Sequence, residues 1–127
     1  MSDAWAEFDR LALVEPSRLT DAQRRLVALG WLRTEVNNGG FDQYFHNSAG
    51  DLAAAARDAA LAGGSRELGA LIDRALAVLA LGDPADRAAR QERLDELSDD
   101  AFDAVDDDFV ALESAHDLDE VMRRCWE

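Results

Sequence analysis

Apolar residues recur with helical period along nearly the whole chain. Trp5, Phe8, Leu11 and Ala12 share one face of a first helix, with Ser2 or Asp3 placed to cap it. Glu15-Pro16-Ser17 ends that helix, because the residue before a proline resists helical geometry. A second helix opens at Thr20, where Thr20-Asp21-Ala22-Gln23 has capping-box spacing. Leu26, Leu29, Leu32 and Val36 form its apolar stripe, with Trp31 beside it, and Asn38-Gly39-Gly40 predicts its end. A short helical piece over FDQYF follows, then NSAGD, then a helix of about ten residues from Leu52 to Leu61, closed by Gly63-Gly64. Ser65 is placed to cap a longer helix carrying Leu68, Leu71, Ile72, Ala75, Leu76 and Leu79, which Gly82 ends. Asp83-Pro84 has the order of a cap followed by proline at the first helical position. It predicts a strongly charged helix running to about Leu97, with Ala88, Leu94 and Leu97 as its apolar residues. Ser98 can cap a further segment, and a last helix from about Asp117 places Leu118, Val121, Met122, Cys125 and Trp126 on one face.

No segment alternates as a strand does, and no repeat or low-complexity linker divides the chain. The expectation is an all-α single domain spanning residues 1–127, with about six to eight helices joined by short turns. The length of 127 residues suits one core and is too short for two. A hydrophobic content of 48% argues against disorder. No run approaches the roughly 18 apolar residues of a membrane span. The acidic start MSDAWAEFDR lacks an apolar signal core, so a cytoplasmic location and no membrane partner are expected. Cys125 is alone, cannot form an internal disulfide, and is expected to be an inert core residue.

Charge changes the picture more than composition does. The chain carries 13 basic and 27 acidic residues, a net of −14, and every basic residue is Arg. Residues 1–93 hold 14 acids and 11 Arg, whereas residues 94–127 hold 13 acids and two Arg, a net of −11. No Arg or Lys lies between Leu94 and Met122. Ordinary solvated helix faces interleave the two signs and gain from i,i+4 pairs. This segment gives that up and accepts self-repulsion.

The densest cluster of chemically capable residues is NNGGFDQYFHNSAGD, residues 37–51. Read structurally, Asn38 or Gly39 takes a left-handed position after a helix, Gly40 relieves a tight turn, and Phe41, Tyr44 and Phe45 drive one helical face into a core. Asn47 or Ser48 caps locally, and Gly50-Asp51 breaks and then caps the helix beginning at Leu52. Read functionally, Asp42 and His46, four apart, form an acid/base unit with Glu35 in reserve. No nucleophile follows at a recognisable spacing, since Ser48 is not in a G-x-S-x-G elbow. No HExxH or CxxC supports a metal, and DDAFDAVDDD lacks the central Gly and closing Glu of an EF-hand. No cofactor, metal or catalytic residue is therefore expected.

The run NGGFDQYFHNSAGD resembles the signature of the DNA-mimic protein family, a group largely known as a domain of unknown function. That pattern is an acidic helix ending in Asn-Gly-Gly-Phe, then an aromatic-rich turn with Asn-Ser-x-Gly-Asp. Glu35, Asn38, Gly39, Gly40, Phe41, Tyr44, Phe45, Asn47, Ser48, Gly50 and Asp51 fit it. The broader pattern continues into a helix, a long apolar helix and an acidic C-terminal third with an Asp-x-Phe-rich segment. The resemblance implies an all-α fold. It also implies that some members carry surface acids laid out like DNA phosphates and keep a repressor or nucleoid protein from DNA. The signature then identifies the fold, and the candidate contact residues lie downstream.

On a helical wheel of residues 97–113, Phe102, Val105, Phe109 and Leu112 fall within one arc. Asp99, Asp103, Asp106 and Asp107 fall on the other side, Asp100 flanks them, and Asp108 lies nearer the apolar arc. Asp is a poor helix former, which allows a break at Asp106-Asp107-Asp108. Residues three and four apart on a helix lie about 5–6 Å apart, so Asp99, Asp103 and Asp106 or Asp107 could imitate a short phosphate run. Asp95 and Glu96, with Glu92, extend the field. The expected partner is a basic DNA-binding protein, a regulator or nucleoid protein, bound in a salt-sensitive way. Direct nucleic-acid binding is disfavoured because there is no basic patch. The alternatives are a solubilising face, an acidic interaction or immunity module facing a basic toxin, and a small enzyme using Asp42 and His46. An unpaired apolar helix face, such as the segment around Trp126, would serve a homodimer.

Overall fold

Local signals at the helix starts translate directly into structure. The computed structural model describes residues 3–127. Among them, α-helices run in the order α1 (Ala4–Leu11), α2 (Asp21–His46), α3 (Ala53–Ala62), α4 (Arg66–Leu79), α5 (Arg87–Glu96), α6 (Asp103–Ala115) and α7 (Leu118–Trp126). Short 3-10 turns lie at Pro16–Arg18 and Ser48–Leu52, and no strand occurs among the described residues. The fold is all-α. Asp3 caps α1, accepting from the backbone N–H of Trp5 and Ala6, while Ser2 lies outside the described residues. Both halves of the Thr20 capping box form: Gln23 N–H donates to Thr20 Oγ1 at 3.1 Å, and Thr20 N–H donates to Gln23 Oε1 at 2.9 Å. Ser65 caps α4 as its position predicts, and Asp117, from about which the last helix was expected to run, caps α7.

Helix α2 is the axis of the molecule, and α1, α3, α5, α6 and α7 all pack on it. Leu26, Leu29 and Leu32 are fully buried from its first half, and Phe41, Tyr44 and Phe45 from its second. Opposite them lie the small face of α3 (Ala53, Ala56, Ala59, Ala60), Leu68 and Ile72 of α4, Phe109 of α6, and Leu118 and Met122 of α7. Alanines on α3 let neighbouring helices approach closely, so the larger rings and leucines of α2 fill the space between.

The Asn38-Gly39-Gly40 break falls where it was expected: Gly39 (φ −147°, ψ 16°) and Gly40 (φ 77°, ψ −178°) leave helical geometry, and the FDQYF piece follows as a second helical segment through His46, counted here with α2. Other expectations need correction. Asp83-Pro84 does not open α5. Asp83 turns the chain by accepting from Ala85 N–H at 3.1 Å, and Asp86 caps the helix, accepting from Ala89 N–H at 3.1 Å. The Pro84 carbonyl, which a helix starting there would give to its own fourth neighbour, accepts instead from Arg90 Nη1 at 2.6 Å. Helix α4 stops at Leu79 rather than at Gly82, with Ala80 in the left-handed cap position. The acidic run is not one helix from residue 97. Residues 98–102 form turns in which the Ser98 hydroxyl donates to Asp100 Oδ1, and α6 then runs unbroken through Asp106-Asp107-Asp108. Burial of Val105, Phe109 and Leu112 outweighs the weak propensity of Asp there.

The apolar face of α7 is not unpaired either. Leu118, Val121, Met122 and Cys125 are buried in the same core, against α2 and α3, and Trp126 packs at its margin. The Cys125 thiol donates to the Met122 carbonyl at 3.1 Å, and burial pushes its pKa up to about 11, which keeps it an unreactive thiol at neutral pH. No helix among the described residues is long and apolar enough to cross a membrane.

Candidate functional site

The Gly39-Gly40 break and the acidic helix α6 meet. With φ at 77° and ψ at −178°, Gly40 holds a backbone conformation open essentially only to glycine. That conformation turns the Phe41 N–H outward, and it donates to Asp106 Oδ1 at 2.9 Å. A Cβ on Gly40 would stand 2.5 Å from Asp106 Oδ2, so the carboxylate occupies the space that a side chain would need. Phe41 begins the second half of α2, where unpaired N–H groups favour an anion. Beside this contact, the Phe102 ring lies 6.4 Å from Phe41 and 5.7 Å from Phe45, and Phe109 stands edge-on to Phe41 at 6.1 Å. The aromatics of residues 41–45 therefore seat α6.

The other end of the 37–51 run is held by a residue that the sequence reading passed over. Arg90 of α5 is 0% exposed. Its Nε donates to the Phe45 carbonyl at 2.7 Å, and its Nη2 to the Asn47 carbonyl at 3.1 Å and Asp51 Oδ1 at 2.6 Å. These carbonyls end the second half of α2 and start the following turn; Arg90 is the donor to the Phe45 carbonyl and shares the Asn47 carbonyl with the Gly50 N–H at 3.2 Å. Gly50 is required by the same packing: a Cβ there would stand 2.7 Å from the Tyr44 carbonyl and 3.0 Å from Arg90 Nε. Asp51 also takes Arg87, at 2.6 Å. Arg90 was findable, because it stands four and seven residues before Leu94 and Leu97, on the apolar stripe of α5. Across the break, Glu35 accepts from Gln43 Nε2 at 2.5 Å and from Asn47 Nδ2 at 3.3 Å, and Asn38 donates to Gln43 at 3.3 Å. Ser48 is exposed. The Tyr44 hydroxyl is buried, and burial raises its pKa well above the usual phenol range.

The acid/base reading of Asp42 and His46 finds both side chains exposed. His46 Nδ1 lies 3.4 Å from Asn47 Oδ1, and no hydrogen bond joins it to Asp42 among the described residues. Asp42 stands instead with the acids of α6, close enough to Asp106 for its charge to act there alongside those of Asp103 and Asp107.

The eight candidate acids divide. Asp95, Asp99, Asp100, Asp103 and Asp107 are exposed and have no basic partner among the described residues. Glu96 pairs with Arg93 at 2.9 Å, and Asp108 with Arg74 of α4 at 2.7 Å. Asp106 turns inward under Gly40, against the wheel that placed it on the outer face. Because α6 begins at Asp103, Asp99 is off the helix, and only Asp103 and Asp107 remain as an i,i+4 pair. Further along, Arg33 of α2 donates to Glu113 at 2.7 and 3.0 Å and to Asp119 at 2.8 Å, with its guanidinium 5.1 Å over the Trp5 ring. Arg123 and Arg124 pair with Glu120, and Arg123 with Glu127. The base-free segment thus receives bases through space, and the charge left unmatched is concentrated in residues 95–107.

A family model described as DMP19-like protein matches residues 17–125. The chain belongs to the DMP19-like family. No curated protein and no solved structure matches it. The DMP19-like region runs from the first 3-10 turn through α7 and so contains the Gly39-Gly40 break, its Arg90 clamp and the whole acidic run.

The same contacts give the DMP19-like chain opposed responses to pH. Burial, the largest influence, raises the Asp106 carboxyl, with Asp103, Asp107 and Asp42 adding to it against the pull of the Phe41 N–H. The folded chain then keeps a proton that the unfolded chain has lost, so this contribution favours folding in acid and fades as pH rises through the raised value. At Asp51 burial acts upward, but hydrogen bonds and charge from Arg87 and Arg90 together hold the carboxyl below its usual range. Hydrogen bonds from Arg33 and Trp5 do the same for Asp119. Those contributions are present above the ordinary Asp value of about 4 and vanish as pH falls through the lowered values. Urea midpoints measured from neutrality downward are expected to rise, peak in the mildly acid range and then fall. Asp106→Asn should flatten the upper limb and Asp51→Asn the lower one. A wild-type midpoint that only falls on acidification would count against the inward, desolvated Asp106.

Proposed function

We propose that this chain is an acidic DNA mimic that occupies the DNA-binding surface of a basic transcription regulator or nucleoid protein and competes with DNA. It acts as a binding protein rather than an enzyme, and a cytoplasmic site of action goes with that role. Membership of the DMP19-like family supports the reading. The observation that carries it is the sorting of charge. Acids in the rest of the C-terminal third are largely matched by Arg33, Arg74, Arg93, Arg123 and Arg124, while Asp95, Asp99, Asp100, Asp103 and Asp107 are left free around the start of α6. Solubility alone gives no reason for that division. A partner built to bind phosphates would release counterions on meeting these carboxylates as it does on DNA.

The experiment immobilises the chain, captures host proteins at low salt and challenges them with duplex DNA. The expected result is retention of DNA-binding proteins that duplex DNA displaces. With about five phosphate-like contacts, affinity should fall roughly 10²–10³-fold between 50 and 200 mM salt. Replacing Asp95, Asp99, Asp100, Asp103 and Asp107 together by Asn should abolish retention without lowering stability. Retained proteins that do not bind DNA would point instead to an acidic interaction module, and retention that is indifferent to salt would remove the acids from the contact.

A further inference from the structure

We infer that Asp106 is a positioning residue: its contact with the Gly39-Gly40 break sets the roll of α6, and with it the direction in which Asp103 and Asp107 face. Apolar packing brings α6 to the second half of α2 through Val105, Phe102 and Phe109. Burial of that kind is non-directional and leaves a helix free to roll by part of a turn. A hydrogen bond has a preferred angle and removes that freedom. Asp106 makes one, to Phe41 N–H at 2.9 Å, and it fits only because Gly40 has no Cβ.

Asp106 also stands at the right edge of the helix for this role. At 3.6 residues per turn, Asp103 and Asp107 lie about 60° and 100° round from Asp106 in the same sense. The apolar residues Val105 and Phe109 lie on its other side. Asp106 therefore marks the boundary between the buried and the acidic faces. Two turns further on and along the same edge, Glu113 is held by Arg33 and by Asn37 Nδ2 at 2.8 Å. One edge of α6 is stitched to the two halves of α2, and Asp106 is the stitch at the end where the free acids are concentrated. The role in partner contact rests on the proposed function, but the test below needs no partner, so either can fail without the other.

Spin labels at His46→Cys and Ala104→Cys, both exposed positions, report the setting of α6 against the second half of α2. Buried Cys125 stays in place. Exchange of the Phe41 amide is followed in parallel. Asp106→Ala is expected to broaden the label distance distribution and to speed Phe41 amide exchange at least tenfold, with helical content retained. Asp106→Asn keeps the accepting oxygen without the charge, and is expected to preserve both the wild-type distribution and the protection. An Ala variant with wild-type distances and exchange would overturn the assignment. So would an Asn variant that broadens as far as Ala, because the charge and not the bond would then matter. If the Ala variant does not fold, Asp106→Glu decides: its extra methylene should displace the mean distance, and an unchanged mean would refute the role.

Discussion

Arg90→Leu is expected to lower folding stability by about 3–5 kcal/mol, since it leaves two backbone carbonyls without this donor at about 1–3 kcal/mol each and removes further hydrogen bonds worth about 1 kcal/mol each. The side chain is wholly buried and donates to the carbonyls of Phe45, Asn47 and Pro84 and to the Asp51 carboxylate. Replacing both members of a buried ion pair by apolar groups can be close to neutral. That escape is closed here, because three of the four acceptors are backbone carbonyls, which no substitution removes. Leucine would fill part of the volume and leave the Phe45 and Pro84 oxygens without that donor, while the Asn47 oxygen would keep the Gly50 N–H. Asp51 would keep Arg87, so the loss falls on the backbone rather than on the ion pair. Arg90→Lys should be intermediate, since a compact ammonium cannot span acceptors set out for a planar fork. Urea denaturation checks it, through a lowered midpoint at unchanged slope. A Leu variant within about 1 kcal/mol of wild type would contradict the clamp, since a single hydrogen bond is commonly worth that much.

Gly40→Ala is expected to cost about 2–4 kcal/mol, combining roughly 1–3 for a conformation that L side chains rarely adopt with about 1 for the lost Phe41–Asp106 bond. Its neighbour provides the contrast. Gly39 has a φ of −147°, and the nearest atoms a Cβ there would meet belong to the Gln43 side chain, whose amide can swing aside but whose Cβ, at 2.9 Å, moves only with the backbone. Gly39→Ala should therefore cost about 1–2 kcal/mol, the Gln43–Glu35 hydrogen bond plus a small backbone shift, without the penalty of a positive φ. Adjacent glycines in one motif thus carry different loads. Placing Gly40→Ala in an Asp106→Ala background separates the two parts of the larger cost. The clash and the bond disappear together there, so the remaining penalty should shrink to the backbone conformation alone. Equal costs in both backgrounds would mean that Asp106 does not sit over Gly40.

Much of the fold was legible because its causes are local. The Thr20-to-Gln23 box, the Ser65 cap, the start of α7 at about Asp117 and the stripes of α2, α4 and α7 each depend on residues within a turn or two of one another. The apolar arc Phe102, Val105, Phe109 and Leu112 held for the same reason. Choices made by contacts outside the local pattern were not legible. Asp83-Pro84 reads as the cap and first turn of α5, but the Pro84 carbonyl accepts from Arg90 and the helix is capped by Asp86 instead. The double-glycine stop and the helical restart over FDQYF were legible, but not the carboxylate from α6, 65 residues away, that accepts the Phe41 N–H there.

The candidate surface shows the division most clearly. The sequence by itself determined the total charge, the base-free interval from Leu94 to Met122 and the amphipathic pattern within it. Only the tertiary structure decided which of those acids are free. It brought Arg33 and Arg74 across from α2 and α4 to Glu113, Asp119 and Asp108, turned Asp106 inward, and left Asp95, Asp99, Asp100, Asp103 and Asp107 unmatched. Charges interact by distance in space and by the medium between them, not by separation along the chain. A run that looks uniformly acidic when read in order therefore resolves, once folded, into acids that hold the protein together and acids that remain for a partner.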